Sequence, residues 1–323
     1  MSYFVYLTDT ESVKHMDRFW NNDMNTQNTT ENIQQWIGGE YYIQTSLYNA
    51  IKDKSFCKIV CINITFDEEL LKNAKYIITP GWSTISNEFI KYKDKLFSYR
   101  YFETVSDDFS ADRVFTPWIY NSLNIFLPLT IIEQPNINLK IKYDSCGLLV
   151  GKCISHTCVK NKHTQLLKLI DNLPSKLLST LRPLHLFEKV PNYLSSYEET
   201  VKEYSDKIIN HSNIISLGIQ NPIEFRNILL NCKYCIFYHG AHAPPTLIEC
   251  LFTSCIVLST INVIPTDLIG NPNIIIIDNL TFTEINDIIT QIESGKRVFD
   301  SDNIPKNYTV QNKLDILQSY LDK

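Results

Sequence analysis

Short apolar runs alternate with amphipathic helical patterns along almost the whole chain. In the first half these patterns predict strands at Tyr3–Leu7, Lys58–Ile62, Tyr76–Thr79, Phe97–Tyr101 and Val114–Phe115, with helices at Tyr41–Lys52 and Thr84–Tyr92. In the second half they predict strands at Cys146–Val150, Leu184–Phe187, Ile214–Leu217, Tyr234–Tyr238, Ile256–Ser259 and Asn273–Ile277. The helices predicted there are Lys162–Ile170, Tyr197–Ile208, Ile223–Leu230, Thr246–Phe252, Phe282–Ile292 and Thr309–Leu321. Such alternation indicates βαβ units, so we expect an α/β protein whose parallel sheets carry helices on both faces.

The polar stretch Glu133–Asn138 separates two halves of comparable size. A chain of 323 residues is long enough for two domains with cores of their own. We therefore expect a first Rossmann-like domain over residues 1–137, a second over residues 138–305, and a C-terminal helix over residues 306–323. Two such domains form a cleft between the carboxyl ends of their strands, where open α/β sheets bind ligands.

Composition narrows the class of protein. Hydrophobic residues make up 44% of the chain and charged residues 20%, which argues against disorder. The net charge of −5 disfavours a broad electrostatic surface for nucleic acid or anionic lipid. The first residues lack the basic and long apolar segments of a signal peptide, and Pro128 and two asparagines interrupt the longest apolar stretch, Trp118–Ile132. We expect a cytoplasmic protein without a transmembrane segment.

The nine cysteines favour reduced thiols over a disulfide framework. Their number is odd, and several lie inside apolar strand patterns, namely Cys57, Cys61, Cys146, Cys235 and Cys255. A second group, Cys153, His156, Cys158 and His163, has a spacing that matches no common structural zinc site, so we expect no metal there. Cys232 and Cys235 lie at a helix end and a strand start rather than at a helix N-terminus, which favours buried thiols over a redox pair.

One long segment of the second half has a recognisable order of elements. Between Asn213 and Asp278 a strand ending at Leu217-Gly218 is followed by a helix, by the strand Tyr234–Tyr238, by the loop His239–Pro245, and by a helix that carries Glu249. This order resembles the donor-binding half of GT-B glycosyltransferases of the group 1 and family 4-like superfamily. Two further segments resemble the same enzymes. Leu148–Lys152 is similar to the first strand and phosphate-proximal turn of that half, and Trp36–Glu40 is similar to the Gly-Gly turn that opens the acceptor-side domain.

The resemblance implies a glycosyltransferase with two Rossmann-like domains. Such an enzyme would move a sugar from a nucleotide-sugar donor, with a UDP-sugar favoured by its frequency in the family, to a hydroxyl of a glycan, protein or small molecule. It would use neither a metal nor another cofactor. The resemblance places Gly38 and Gly39 in the acceptor-side loop and gives Lys152 a catalytic role beside the departing diphosphate. It assigns donor binding to Gly151, Lys152, Lys160, Lys162, His239, Gly240, His242, Ala243, Pro244, Pro245, Thr246 and Glu249.

The chemistry of the donor explains why these residue types would serve. A sugar nucleotide carries a diphosphate with about two negative charges, which helix N-termini and basic side chains stabilise. Lys152, or Lys160 or Lys162, would neutralise charge on the departing diphosphate, and Gly240 would let the backbone approach it closely. In the family the acid that matches Glu249 accepts hydrogen bonds from the ribose hydroxyls.

An inverting transferase also needs a base for the acceptor hydroxyl, and the first half offers Glu40, Glu88 and Asp112. Glu40 is favoured because it follows the Gly-Gly turn, although an acid at a helix start also simply complements the helix dipole. His239 and His242 could likewise be ordinary loop residues.

The sequence departs from the family pattern at several positions. Ala241 stands where retaining members carry the first acid of a Glu-x7-Glu pair, and Ser254 and Ile256 replace a glycine and a proline. No histidine follows the strand Tyr76–Thr79. Two alternatives therefore stay open: a catalytically inactive GT-B-like protein that binds a nucleotide or glycan, and a nucleotide-sugar 2-epimerase. The donor sugar, the acceptor, the anomeric outcome and the oligomeric state are open as well.

Overall fold

The computed structural model describes residues 2–8, 13, 39–61, 67–80, 87–99, 113–116, 125–127, 147–149, 160–179, 206–217, 222–238 and 245–323. The chain divides into two compact units. Unit 1 comprises Met1–Glu133 together with Lys306–Lys323, and unit 2 comprises Gln134–Pro305. The passage from unit 1 to unit 2 lies close to the expected boundary, and the C-terminal segment packs with the first half of the chain.

The described elements alternate between strand and helix. In the first half they are β1 (Phe4–Thr8), α1 (Gly39–Ile51), β2 (Cys57–Cys61), α2 (Glu68–Asn73), β3 (Tyr76–Pro80), a 3₁₀ helix (Asn87–Lys95), β4 (Leu96–Tyr99), β5 (Arg113–Thr116) and β6 (Ile125–Phe126). In the second half they are β7 (Gly147–Leu149), α3 (Lys160–Asp171), β8 (Leu177–Ser179), β9 (Ile214–Ser216), α4 (Pro222–Asn231), β10 (Tyr234–Phe237), α5 (Pro245–Phe252), β11 (Ile256–Ser259), β12 (Ile274–Ile276), α6 (Phe282–Glu293) and α7 (Val310–Asp322).

Unit 1 is built on a six-stranded sheet in the order β2-β1-β3-β4-β5-β6, in which every neighbouring pair is parallel. Alternate side chains of β1 pack on opposite faces, as the two-residue repeat of a strand requires. Val5 and Leu7 join a core with residues of α2 and the 3₁₀ helix, such as Leu71 and Phe89. Tyr6, which lies between these two residues, faces the other side of the sheet and donates a hydrogen bond to Gln44 of α1, with 3.0 Å between the oxygens.

The C-terminal helix α7 docks on unit 1 through polar and aromatic contacts. Lys313 is fully buried, and its Nζ lies 3.1 Å from the Ser46 hydroxyl of α1 and 5.6 Å from the centre of the Tyr99 ring. Near the other end of α7, Tyr320 packs edge-on against Tyr76 and Phe97. Burial strongly lowers the pKa of Lys313, because the charged ammonium loses its hydration.

Unit 2 is built on a second six-stranded parallel sheet, in the order β12-β11-β10-β7-β8-β9. The core on one face joins Tyr234 and Ile236 of β10 to apolar residues of α3 and α6. The intervening residue Cys235 interacts instead with the thiol of Cys250 in α5, so α5 covers the opposite face. Helices on both faces of a parallel sheet require βαβ crossovers, which are right-handed in nearly all proteins.

The expected α/β class with two parallel sheets is confirmed. Most predicted strands and helices match observed ones within about two residues, and Pro222 is the first residue of α4, as its cap pattern predicts. Among the described α-helices and strands, α2, β6 and β8 went unpredicted, as did the short 3₁₀ helices of the second half. The helix predicted at Thr84–Tyr92 is wrong in type and extent, because residues from Asn87 onward form a 3₁₀ helix. The predicted strand Leu184–Phe187 lies outside the described residues. The same holds for the predicted helix Tyr197–Ile208, except for its residues 206–208.

We expect Lys313→Met to stabilise the protein. The Lys313 amine binds a proton more readily in the unfolded chain than in the native protein. As pH falls below about 10.4, proton binding therefore favours the unfolded chain and lowers the free energy of unfolding. This loss stops at the lower pH where the native amine is protonated as well. The variant should therefore gain at least about 1 kcal/mol at pH 7, and its stability should rise less steeply with pH. Urea unfolding between pH 6 and 9 measures both effects, with Lys72→Met on exposed α2 as the control; equal pH slopes in wild type and Lys313→Met would contradict the burial.

Gly147→Ala should destabilise unit 2. A Cβ at this position would lie 2.3 Å from two carbons of the Tyr234 ring, which is fully buried and whose hydroxyl donates to Glu293 across 3.0 Å. Overpacking of this kind costs about 1–3 kcal/mol. Thermal unfolding should show a lower Tm for Gly147→Ala than for wild type. The same substitution should lower Tm by a smaller amount in a Tyr234→Leu protein, where the ring is absent. Equal effects in both backgrounds would mean that the ring is not what excludes a side chain.

Candidate functional site

The order of strands in unit 2 marks one edge of its sheet as a site for a ligand. The chain passes from β7 outward to β8 and β9, then returns to β10 beside β7 and continues outward in the other direction. The register pairs Leu149, the last residue of β7, with Ile236 of β10. In open α/β sheets ligands bind outside the carboxyl ends of strands where the order reverses. The segments that follow Leu149 and Phe237 therefore start side by side at the position expected for a ligand.

The helix α5 begins at this edge. It connects β10 to its parallel neighbour β11, so it must start near the carboxyl ends of the strands and run back toward their amino ends. Pro245 is its first residue, a position where a missing N–H costs nothing. The following N–H groups of the first turn have no acceptor within the helix, and together with the helix dipole they favour an anion.

A buried ion pair lies next to the start of α5. Nη2 of Arg226 in α4 lies 3.1 Å from Oε1 of Glu249 in α5, and the two side chains are only 10% and 8% exposed. Each residue lies four positions after the proline that opens its own helix, Pro222 or Pro245. Because α4 follows β9 and α5 follows β10, both prolines lie at the carboxyl edge of the sheet, and the pair joins the two helices about one turn below that edge.

Tyr238 defines the opposite side of the same edge. It follows β10 directly, it is buried, and its hydroxyl donates a hydrogen bond to Oε1 of Gln165 in α3 across 3.0 Å. Burial, followed by the charge of Asp278, raises the pKa of Tyr238 to about 12. The phenol therefore stays neutral at physiological pH and keeps the proton that it donates. Tyr238 thus ties the end of β10 to α3 just before the segment predicted to contact phosphate.

The end of β11 contributes a second buried hydroxyl. Thr260 is 1% exposed, and its hydroxyl has no hydrogen-bond partner among the described residues. Its backbone N–H donates to the carbonyl of Phe237, so this residue lies beside the end of β10. Burying a hydroxyl without a partner is costly, which makes Thr260 a polar group available at the same edge.

The structure brings part of the predicted donor-binding set together. Pro245, Thr246 and Glu249 lie in the first turns of α5, where they were expected. Lys160 and Lys162 lie in the first turn of α3, which starts at the same sheet edge because α3 connects the parallel strands β7 and β8. The remaining donor residues lie outside the described residues: Gly151, Lys152, His239, Gly240, His242, Ala243 and Pro244. Their roles stay predictions.

The residues predicted for the acceptor side belong to unit 1. Gly39 and Glu40 are the first two residues of α1, which follows β1 and so starts near the carboxyl edge of the first sheet. Glu88 lies in the 3₁₀ helix after β3. Gly38 and Asp112 lie outside the described residues. The backbone positions of Glu40 and Glu88 thus follow the two strands between which the order of the first sheet reverses.

Arg226, Tyr238 and Thr260 were missed as site residues. A charged residue in the middle of the apolar pattern Ile223–Leu230 could have singled out Arg226, since buried arginines are nearly always paired. Nothing in the sequence links it to Glu249, because the pairing depends on how α4 and α5 pack. Tyr238 and Thr260 each close an apolar strand run, and only the strand order shows that these ends are neighbours.

The described cysteines behave as buried thiols. Cys57, Cys232, Cys235, Cys250 and Cys255 are buried, and Cys61 is half-buried. Burial raises the pKa of the Cys235 thiol well above its ordinary value, which keeps it protonated and unreactive. Cys146, Cys153, His156 and Cys158 lie outside the described residues. In the part of the chain that is described, no three His, Cys, Asp or Glu side chains are grouped to hold a metal ion.

The helices of the described residues include none with the length and apolar character needed to cross a bilayer.

Solved structures match the chain over its whole length. The lipopolysaccharide outer core galactosyltransferase WaaB in its apo form aligns with a TM-score of 0.55 and 12% identity, covering 100% of this chain and 99% of that one. Anabaena HepE in complex with UDP and glucose aligns with a TM-score of 0.53 and 9% identity over 100% of both chains. The chain has the GT-B fold.

The same fold is shared with a different class of enzyme. UDP-GlcNAc 2-epimerase from Neisseria meningitidis, bound to UDP-GlcNAc, aligns with a TM-score of 0.53 and 12% identity over 100% of both chains. No protein-family model matches this sequence, and no curated protein matches it either. At such low identities the likeness is one of fold, so any assignment of activity depends on the residues of the site.

We expect the ion pair Arg226–Glu249 to contribute to stability only as a pair. Arg226→Met removes one member of a buried ion pair, which costs about 3–5 kcal/mol. A double variant, Arg226→Met with Glu249→Leu, should recover most of that loss, because apolar side chains of similar volume often replace a buried ion pair without penalty. Chemical unfolding of the three proteins measures the coupling. Additive losses in the double variant would show that the two side chains do not interact in solution.

Proposed function

We propose that this chain is a glycosyltransferase that moves a sugar from a nucleotide-sugar donor, a UDP-sugar, to a hydroxyl of a glycan, protein or small molecule. The observation that supports this most is the reversal of strand order between β7 and β10, at the edge where α5 begins. The donor would bind there, on unit 2. The crystal structure of HepE with UDP and glucose and that of the epimerase with UDP-GlcNAc show that proteins of this fold take up uridine nucleotides.

The donor would be held mainly through its diphosphate. The main-chain N–H groups at the start of α5 and the lysines Lys152, Lys160 and Lys162 would face the phosphates, as the resemblance implies. Negative charge grows on the diphosphate as the bond to the sugar breaks, so groups fixed at this position stabilise the transition state more than the bound donor. A set of amides and lysines supplies this stabilisation without a metal. Glu249 would accept hydrogen bonds from the ribose hydroxyls.

The acceptor would be activated on unit 1. Glu40 lies in the first turn of α1, directly after Gly38-Gly39, and would take the proton from the attacking hydroxyl. The oxygen then attacks the anomeric carbon, the bond to the diphosphate oxygen breaks, and the nucleoside diphosphate leaves with both electrons of that bond. Glu88 is the second candidate for the base, since it follows β3 beside β1.

Two other activities have an observation in their favour. The full-length match to UDP-GlcNAc 2-epimerase favours a 2-epimerase, which would convert its donor in the absence of any acceptor. Ala241, in place of the first acid of the Glu-x7-Glu pair, favours a protein that binds a nucleotide or glycan without turnover. Incubation with a panel of sugar nucleotides separates the three. A transferase releases nucleotide slowly by hydrolysis and faster with an acceptor, an epimerase changes the sugar at C2, and a binding protein returns the donor intact.

We expect Glu249→Ala to weaken UDP binding at least about tenfold, because the ribose hydroxyls would lose the carboxylate that accepts their hydrogen bonds. Isothermal titration with UDP and GDP measures this. Glu249→Gln keeps the shape of the side chain and should bind with intermediate affinity, while Asp287→Ala on the exposed face of α6 should leave affinity unchanged. Unchanged UDP and GDP affinity in a folded Glu249→Ala protein would remove Glu249 from the donor site.

A further inference from the structure

The donor site proposed above has an electrostatic conflict at Glu249. Its carboxylate lies only four residues after Pro245, where α5 would receive a diphosphate. The positive end of a helix favours an anion, but a carboxylate within the first turns opposes it. In a partly buried site two like charges repel each other more strongly than in bulk water, because the effective dielectric constant is lower. An isolated Glu249 would therefore weaken the binding of each phosphate.

The guanidinium of Arg226 removes this conflict. It lies 3.1 Å from the Glu249 carboxylate, close enough for a charge-assisted hydrogen bond. Both side chains are almost fully buried, so water screens the pair poorly and the two charges act on each other strongly. The pair is neutral as a whole. The start of α5 then keeps its attraction for an anion, while the carboxylate remains in place.

We propose that Arg226 is a positioning residue of the donor site, which neutralises and orients Glu249 so that an acid can serve the ribose beside a diphosphate. This inference rests on the proposed function, since it assigns Arg226 a role toward the same nucleotide. Arg226 acts through Glu249 and need not touch the donor. It lies on α4, outside the loop and helix that the resemblance identifies, so the resemblance itself does not assign it a role.

A purely structural role would have a different signature. If the pair only braces α4 against α5, loss of Arg226 disturbs the site as a whole, and every ligand of the site weakens by a similar factor. If Arg226 offsets the charge of Glu249, the loss falls on the phosphates and grows with their number. The affinity gained per phosphate along the series uridine, UMP and UDP therefore separates the two roles.

We expect the affinity gained per phosphate to follow the net charge at positions 226 and 249 in three single variants. Arg226→Gln removes the positive charge 3.1 Å from Glu249 and should reduce the gain per phosphate about tenfold at low salt. Glu249→Gln removes the negative charge beside Arg226 and should increase this gain, even where uridine itself binds more weakly. Arg226→Lys keeps the charge and should stay near wild type. Isothermal titration at two salt concentrations measures all four proteins, and the differences should shrink as salt rises.

A double variant guards against misfolding as the explanation. Arg226→Gln with Glu249→Gln carries no charge at either position, and its two amides can still hydrogen-bond to each other. It should recover the wild-type gain per phosphate, with circular dichroism and thermal unfolding reporting that each variant is folded.

Three outcomes would overturn the inference, and the measurements distinguish them. If wild type binds UDP but the gain per phosphate is the same in all variants, Arg226 is only a brace and the proposed function stands. If wild type binds none of the three ligands, nor the corresponding guanosine and adenosine nucleotides, the proposed function fails and the inference fails with it. Reduced gain in Arg226→Gln that the double variant does not restore would also count against charge compensation.

Discussion

The parallel pairing of β7 with β10 is the contact on which the candidate site depends. It brings together two strands that are far apart in sequence and reverses the direction in which the sheet grows. Because crossovers are right-handed, strands added on opposite sides of this pair carry their helices on opposite faces. The carboxyl ends of β7 and β10 are left between the two sets of connections, open to a ligand. The pairing is close: at its amino end, the ring of Tyr234 occupies the space where any residue larger than Gly147 would place its Cβ.

Buried ionisable side chains have different neighbours in the two units. In unit 2, Arg226 and Glu249 lie 3.1 Å apart, so each offsets the charge of the other. In unit 1, Lys313 has a hydroxyl and an aromatic ring for neighbours, so burial drives it toward the neutral amine. A buried pair is weak evidence for stability, because apolar residues often replace it without loss. Its position near the start of α5 is the reason why we propose a role for it toward a ligand.

Sequence patterns predict the fold well wherever a whole element carries a repeating signal. The strands of both sheets are apolar runs bounded by polar residues, so Tyr76–Pro80 and Ile256–Ser259 were found. The short elements β8 and α2 were missed because three or six residues are too few to show a period. The site was predicted only where a local order of elements resembled known enzymes, as for Pro245, Thr246 and Glu249. The pairing of Arg226 with Glu249 could not be predicted, because it depends on how α4 packs on α5.

A transferase and a 2-epimerase of this fold need the same first step, which is to hold a nucleoside diphosphate and stabilise it as the bond to the sugar weakens. The strand reversal, the start of α5 and the pair Arg226–Glu249 all belong to unit 2, and in the proposed function they serve that step. What distinguishes the two reactions is the fate of the sugar, which a transferase passes to a hydroxyl that a base has deprotonated. In the proposed function that base comes from unit 1, where Glu40 is the second residue of α1. Donor binding and the choice of reaction are therefore assigned to different units, and substitutions at Glu249 and at Glu40 should affect nucleotide affinity and turnover separately.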